Sequence, residues 1–304
     1  MVVSGIGRLS IMAITDTLKV SYGSIAGRHH IGDDRNIVAQ PIQDAVYVHT
    51  TPEVIIGVVC DGMGSGINNQ LGAQIGGRLF MNTVLTYLYD SSPVDLVEDI
   101  IGTDNCTIFS DLLANRLDGI ARQLSMGELF CKTNMEYLWN IYLNENMFFT
   151  LIGFISTPSE TVILGCGDGF IYLNGERCDF GPAPGEYPSF FSERLLSGHH
   201  KKDRTLEVIR RLPTHEVQNL LVSTDGLRYW LSNQDKPIYG GVVGPVDQLW
   251  TDDFFFTQRT TPTLRLRMMQ RIEQKVDWTE RRINRQGGYL EDDLALITMK
   301  RFGE

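Results

Sequence analysis

The distribution of apolar and polar positions divides the chain into strands, then helices, then strands again. Alternation that begins at Leu18 predicts a first strand, and a further apolar run leads up to Asp225. Other short apolar runs predict strands over residues 45–49, 54–59, 147–156, 161–166, 169–173 and 294–299. Apolar residues at helical spacing predict helices over residues 68–89, 95–101, 106–143 with an interruption near Gly127, and 263–285, the last ended by Gly287 and Gly288.

This order predicts one α+β domain. The chain has 304 residues, and nothing in its composition marks a linker between two halves. We therefore expect an N-terminal extension over residues 1–17 and a single domain over 18–304. Residues 178–218 are the least regular part, and they are interpreted either as a loop-rich insertion that shapes substrate access or as a tolerated surface insertion.

Acidic residues stand where predicted strands end. A β-branched run ends at Asp61 and is followed by Gly62, and Asp168 and Asp225 follow two later apolar runs in the same way, each before a glycine. Asp292 and Asp293 come directly before the last strand, so there the order is inverted. Each pair alone is also typical of a surface turn. Together they indicate a site of hard oxygen ligands for magnesium or manganese.

A further carboxylate, Asp44, lies at the start of the strand predicted over residues 45–49. A hairpin around residues 50–53 would bring this strand back beside the one that ends at Asp61, so the two carboxylates would be neighbours. Asp33 and Asp34 compete for the same position. Asp44 is favoured because only it is followed directly by the pairing strand, and a solvated loop is the expected place for the other two.

Charge and composition exclude several classes of protein. The net charge is −10, with 27 basic and 37 acidic residues, which argues against a nucleic-acid binder. No apolar run reaches the length of a membrane span and no signal peptide is recognisable, so we expect a cytoplasmic protein without a membrane partner. Five cysteines without Cys-x-x-Cys spacing predict neither disulfides nor a zinc site.

Five short segments, in this order, resemble those of the PP2C-type (PPM) metal-dependent serine/threonine protein phosphatases. They cover roughly residues 18–300 and are Gln43-Asp44, Val-Cys-Asp-Gly-Met-Gly at 59–64, Gly167-Asp168-Gly169, Ser-Thr-Asp-Gly-Leu at 223–227 and Asp292-Asp293-Leu294. The resemblance implies an α/β/β/α sandwich of two antiparallel sheets flanked by helices. It also implies an enzyme that hydrolyses phosphoserine or phosphothreonine in proteins, opposite a serine/threonine kinase.

The resemblance assigns a role to each carboxylate. Asp61 is similar to the residue that bridges two metal ions, and Gly62 to the one that offers its backbone carbonyl. Asp225 and Asp292 resemble the ligands that complete one metal, and Asp44 the residue that orients metal-bound water. Two divalent ions, Mg²⁺ or Mn²⁺, would then activate a water for in-line attack on phosphorus, without a covalent intermediate.

Other positions depart from the family pattern or extend it. Asp168 is similar to the acidic residue that, with Asp225, can hold a third ion in bacterial members, but Gly-Phe follows it where Ser-Arg is usual. Asp293 stands where many members have Asn. Met63 replaces a histidine of animal members, as in bacterial ones. Arg28 and His30 are the candidates for phosphate binding, or else ordinary loop residues. These losses motivate an alternative, a pseudophosphatase that acts as a regulatory or binding module.

Overall fold

The structure is a computed structural model that describes most of the chain. The residues described are 13–27, 30, 41–66, 68–90, 92, 95–102, 105–129, 135–183, 186–196, 205–238, 241–270, 273–277, 282–286 and 288–303. Arg28, Asp33 and Asp34 lie outside them, and so does Gly287.

Two five-stranded antiparallel sheets form the centre of the molecule. The first contains β2 (Ala45–Thr50), β3 (Ile55–Gly62), β4 (Phe149–Ser156), β5 (Glu160–Cys166) and β8 (Glu207–Pro213), in that spatial order. The second contains β1 (Leu18–Ile25), β14 (Leu294–Arg301), β9 (Asn219–Ser223), β6 (Phe170–Leu173) and β7 (Glu176–Arg177), again in spatial order. Two small hairpins stand apart, β10 (Pro237–Ile238) with β11 (Gly241–Val242) and β12 (Glu273–Asp277) with β13 (Arg282–Gln286).

Helices cover the outer face of each sheet. The first sheet is covered by α2 (Asn69–Asp90), α3 (Leu96–Ile101), α4 (Asn105–Leu129) and α5 (Met135–Asn146). The second is covered by α6 (Leu227–Ser232), α7 (Gln248–Thr251) and α8 (Thr261–Gln270), while α1 (Ile14–Thr17) precedes β1. Within the described residues, no helix combines the length and the apolar character that crossing a bilayer requires.

The molecule thus has four layers, two sheets with helices outside each of them. Three clusters of apolar side chains lie between these layers and hold them together. Val59, Phe154 and Ile297 are among those that fill the space between the sheets. Phe80 belongs to the core under α2 to α5, and Trp230 to the core under α6 to α8. Because β3 and β4 are covered on both faces, their sequences read as continuous apolar runs without alternation. The predicted α/β/β/α sandwich is confirmed.

The helix predicted over residues 263–285 is wrong. Helix α8 ends at Gln270, and the chain then forms the hairpin of β12 and β13. The supposed apolar stripe was misplaced, because Leu264 and Met268 are exposed at 49% and 38% while Leu266 and Met269 are the buried residues. The few apolar residues at helical spacing therefore indicated a helix correctly only as far as Gln270. Beyond that residue, the pairing of β12 with β13 overrides the helical pattern.

Two other boundaries differ from the sequence pattern. The helix predicted over residues 106–143 is two helices, and α4 continues through Gly127 to Leu129, so the interruption falls after that glycine. The region 178–218 contains an edge strand, β8, and a short 3-10 turn at Phe191–Leu195. Most of the side chains of β8 are exposed, so its sequence carries no apolar run that would reveal a strand.

Candidate active site

In the first sheet, the strand register brings several chain segments to one edge of the sandwich. Ala45 pairs with Cys60, Cys60 with Leu151, and Leu151 with Cys166. Asp44 therefore lies next to Asp61, across from the start of β4 and the end of β5. The hairpin predicted from residues 44–61 is confirmed.

The second sheet contributes its acidic residues at the same edge. Leu294 pairs with Ile25, and Ser223 pairs with both Leu296 and Phe170. Asp225 follows β9, and the Asp292-Asp293 pair precedes β14, so the two segments leave neighbouring strands side by side. The strand ends of both sheets thus meet at one end of the space between them.

Asp168 lies on the three-residue connection that crosses from the first sheet to the second. β5 ends at Cys166, β6 begins at Phe170, and Gly167 and Gly169 on either side of Asp168 have φ angles of +113° and +140°. Such angles favour glycine. A Cβ atom at Gly169 would also lie 2.5 Å from the carbonyl oxygen of Ser223. The tight crossover therefore holds the Asp168 carboxylate at the opening between the sheets.

Asp44 and Asp61 form the centre of this arrangement. Only 3% of Asp44 is exposed, Asp61 is partly buried, and the two carboxyl groups are close enough to act on each other's acidity. The Thr224 hydroxyl donates to Asp44 Oδ2 at 2.6 Å, and the Thr224 oxygen accepts from the Ala295 amide at 3.0 Å. Thr224 thereby connects the first sheet, through Asp44, to two strands of the second.

Burial and mutual repulsion shift the acidity of this pair. Burial, together with the negative charges of Asp293 and Asp292, raises the pKa of Asp44 to about 8, although the Thr224 hydrogen bond opposes the change. Burial raises the pKa of Asp61 well above its usual range, and the charges of Asp44, Asp292 and Asp168 add to this effect. The centre therefore holds more negative charge than the surrounding protein neutralises, which is the condition that favours a bound cation.

Asp293 is engaged by the protein's own donors. Its Oδ1 accepts from the Gly27 amide at 2.6 Å and lies 2.8 Å from His30 Nδ1, and its Oδ2 accepts from the Gln43 amide at 2.5 Å. These bonds tie the segment after β1 and the segment before Asp44 to the start of β14. His30 is only 9% exposed. Its role as a phosphate ligand, and that of Asp293 as a metal ligand, remain predictions.

Asp225 and Asp168 share a positive neighbour, Arg228. The guanidinium of Arg228 forms an ion pair with the Asp225 carboxylate. Burial raises the pKa of Asp168, and the positive charge of Arg228 partly offsets that rise. Among the predicted ligands, Asp225 is therefore paired with the guanidinium of Arg228, and Asp168 lies within range of its charge.

The glycine turn after β3 is held by Asn69. The Asn69 amide donates to the Met63 carbonyl at 2.8 Å and its oxygen accepts from the Phe148 amide at 3.2 Å. A Cβ atom at Gly62 would lie 2.6 Å from the Asn69 carbonyl oxygen, so the backbone can approach this closely only at glycine.

The donor set fits a divalent cation in its chemistry. Carboxylate and carbonyl oxygens are the ligands that Mg²⁺ and Mn²⁺ prefer, and burial together with mutual repulsion raises the pKa of both Asp44 and Asp61. Across the part of the chain that the structure describes, however, no three His, Cys, Asp or Glu side chains converge on one point suited to an ion.

Three residues of this site were not assigned a role from the sequence. Thr224 belongs to the Ser-Thr-Asp-Gly-Leu segment at 223–227, and its position next to Asp225 was the one sequence feature that could have indicated a role in the site. Arg228 lies one helical turn after Asp225, so its proximity follows from helical spacing once α6 is known. Asn69 carried no signal, because its role depends on joining the nearby Met63 carbonyl to the Phe148 amide, which is 79 positions later in the chain.

The chain belongs to the protein phosphatase 2C family, whose model matches residues 26–271. The match covers most of the sandwich and the predicted ligands except Asp292 and Asp293. No curated protein matches.

Solved structures that are similar to this chain include the three that follow. One is the catalytic domain of the serine/threonine protein phosphatase PstP with two manganese ions, at 14% identity and a TM-score of 0.45, covering 94% of this chain and 99% of that one. RsbX in complex with magnesium is 12% identical with a TM-score of 0.40, covering 94% and 96%. A C. elegans sex-determining protein is 14% identical with a TM-score of 0.47, covering 93% and 65%.

Proposed function

We propose that this protein is a Mg²⁺- or Mn²⁺-dependent phosphatase of phosphoserine and phosphothreonine in proteins. The observation that carries the proposal is the Asp44–Asp61 pair, in which Asp44 is buried, and which lies between the two sheets with Asp168 and Asp292 close enough for their charges to act on Asp61. Such a concentration of carboxylates is costly in the fold unless a cation is bound. Membership of the phosphatase family supports the same reaction.

Each residue has a role in the proposed reaction. Asp61, the carbonyl of Gly62, Asp225 and Asp292 would hold the ions, and Asp168 would bind at the rim. Bound divalent ions supply an activated water and neutralise the phosphoryl oxygens. Asp44 orients the attacking water by accepting a hydrogen bond from it, and Thr224 fixes the Asp44 carboxylate in that direction.

Asp293 has a positioning role in this proposal. One of its three hydrogen bonds holds the backbone of Gln43, the residue before Asp44, against the start of β14, and the other two hold Gly27 and His30 there. The substrate would be a phosphorylated protein, and the enzyme that supplies it a serine/threonine kinase.

The test is hydrolysis of a phosphothreonine peptide by the purified chain with Mn²⁺, with and without chelator. We expect phosphate release that chelator abolishes, and a loss of at least about a hundredfold in kcat/KM for Asp61→Asn. Asp118→Asn, which changes a partly exposed carboxylate on α4 in an ion pair with Arg122, is the matched control and should retain activity. Unchanged hydrolysis by Asp61→Asn would refute the proposal.

A second candidate is a pseudophosphatase that binds or regulates without catalysis. It is favoured by the Gly169-Phe170 sequence after Asp168 and by the lack, within the described residues, of three converging ligand side chains. Calorimetric titration with Mn²⁺ separates the two. A phosphatase should bind the ion and release phosphate, whereas a folded chain that neither binds Mn²⁺ nor hydrolyses the peptide would be the binding module.

A further inference from the structure

Arg228 is the arginine that the structure places beside the predicted ligand Asp225. It belongs to α6, which begins two residues after Asp225. The spacing of three residues places the two side chains on the same face of the first helical turn. The position of Arg228 is therefore a consequence of where the helix begins.

The guanidinium is attached to Asp225 at two points. Its Nε donates to the Asp225 carbonyl oxygen at 3.1 Å, and its Nη2 forms the ion pair with Asp225 Oδ2. Half of the Arg228 side chain is exposed, whereas only a fifth of Asp225 is. The side chain thus reaches from solvent into the opening of the acidic centre.

The positive charge of Arg228 also acts on Asp168, which lies on the crossover between the sheets, and it partly offsets the rise that burial causes in the pKa of Asp168. The guanidinium is therefore paired with Asp225 and lies within electrostatic range of Asp168, and these are the two carboxylates that the family resemblance pairs around a third metal ion.

We propose that Arg228 is a resident cation that takes the place of a third divalent ion between Asp168 and Asp225, so that the centre binds two ions. The proposal rests on the proposed function, since it requires a site that binds metal. A guanidinium next to a carboxylate removes the charge that would attract a further ion, and it occupies the space in front of Asp225 Oδ2.

A direct contact of Arg228 with the substrate phosphate is the competing role for this residue. It is less well supported, because both Nε and Nη2 are already directed at Asp225. A phosphate contact would require the guanidinium to leave this pair.

Counting bound Mn²⁺ by equilibrium dialysis tests the proposal in wild type and in Arg228→Gln. We expect two ions per chain in wild type and an additional, weaker ion in Arg228→Gln. Arg228→Lys keeps a positive charge and should retain the wild-type count. Arg122→Gln removes an arginine from a similar short-range pair with Asp118 on α4, and it should also leave the count unchanged.

Several results would overturn the inference, and they differ from failure of the proposed function. Three ions in wild type, an unchanged count in Arg228→Gln, or an extra ion in Arg228→Lys would each refute the role of Arg228 while leaving the metallophosphatase intact. A change in KM for the phosphopeptide with an unchanged ion count would assign Arg228 to substrate binding instead. A wild-type chain that binds no Mn²⁺ would refute both proposals.

Discussion

Thr224 is the residue that joins the two sheets at the acidic centre. It is 2% exposed, donates to Asp44 and accepts from the Ala295 amide, so its hydroxyl satisfies one group from each sheet. A hydrogen bond to a charged group contributes more than a neutral one, and its loss leaves a buried carboxylate oxygen without its donor. The orientation of Asp44 therefore depends on a residue that is neither a ligand nor a base.

We expect Thr224→Val to lower kcat roughly tenfold to a hundredfold because Asp44 is no longer fixed. The free energy of unfolding should fall by about 2 kcal/mol. Peptide hydrolysis and denaturant unfolding measure the two effects, and Thr224→Ser should restore both. Thr298→Val is the matched control, since Thr298 is equally buried and donates to the Leu249 carbonyl at 2.9 Å in the same sheet. Equal losses of kcat in the two variants would contradict the positioning role.

The pKa of Asp44 makes the stability of the metal-free protein depend on pH. Because its pKa is about 8 in the fold and near 4 in the unfolded chain, the folded state binds the extra proton between these values. The contribution of Asp44 to the free energy of unfolding is therefore largest below about pH 4 to 5. This contribution is lost as the pH rises towards about 8. The loss should be on the order of a few kcal/mol.

The measurement is thermal unfolding in chelator between pH 5 and pH 8.5, for wild type and for Asp44→Asn. An asparagine oxygen can still accept from Thr224 but cannot titrate, so the variant should lose less stability over this range than wild type does. A parallel dependence in the two proteins would show that Asp44 does not carry the effect.

At the scale of elements, the crossover from β5 to β6 decides where Asp168 lies. Three residues change sheets there, and both flanking glycines have positive φ angles and close backbone or side-chain neighbours. A longer or more regular connection would leave the carboxylate on one sheet only. The geometry of the connection is thus as important to the site as the acidic residue.

We expect Gly169→Ala to destabilise the fold by about 2 kcal/mol or more and to reduce hydrolysis, because strained φ and the contact with Ser223 both oppose a Cβ atom. Gly175→Ala separates the two causes. Gly175 has a φ of +81° but open space where its Cβ would lie, so that variant should cost only about 1 kcal/mol and keep full activity. Denaturant unfolding and peptide hydrolysis test both. A smaller effect at Gly169 than at Gly175 would contradict this view of the crossover.

The hairpin of β12 and β13 shows how an element can be misread. The chain leaves α8 at Gln270 and returns at Gly288, and the Tyr289 amide donates to the Met269 carbonyl at 2.8 Å, so the excursion starts and ends at neighbouring points. The pairing of β12 with β13 therefore takes the place of the helix that the pattern predicted beyond Gln270.

At the scale of the whole molecule, metal binding should stabilise the sandwich. The ligands come from both sheets, so an ion bound between them opposes their separation as well as neutralising charge. At a concentration of about 100 times its dissociation constant, a ligand that binds the native state adds about 2.7 kcal/mol to the free energy of unfolding.

We expect Mn²⁺ to raise Tm by about 5 °C in wild type and much less in Asp225→Asn, as measured by thermal unfolding with and without the ion. An equal rise in Asp235→Asn, an exposed carboxylate, is the expected control result. No rise in wild type would contradict an intersheet ion.

The sequence by itself determined the elements that carry the site and their order. Continuous apolar runs mark β3 and β4 because both faces of these strands are buried, and glycines mark the turns because other residues are excluded there. The hairpin that places Asp44 beside Asp61 also followed from local spacing, since turn length fixes strand pairing.

Only the tertiary structure decided which groups surround these carboxylates. Thr224 donates a hydrogen bond to Asp44, which is 180 positions earlier in the chain, Asp293 accepts hydrogen bonds from amides of the segments before Asp44, and Arg228 pairs with Asp225. These contacts depend on how two sheets stack, which no local pattern encodes. The strand ends could therefore be read from the chain, whereas the charge balance between them is a property of the packed sandwich.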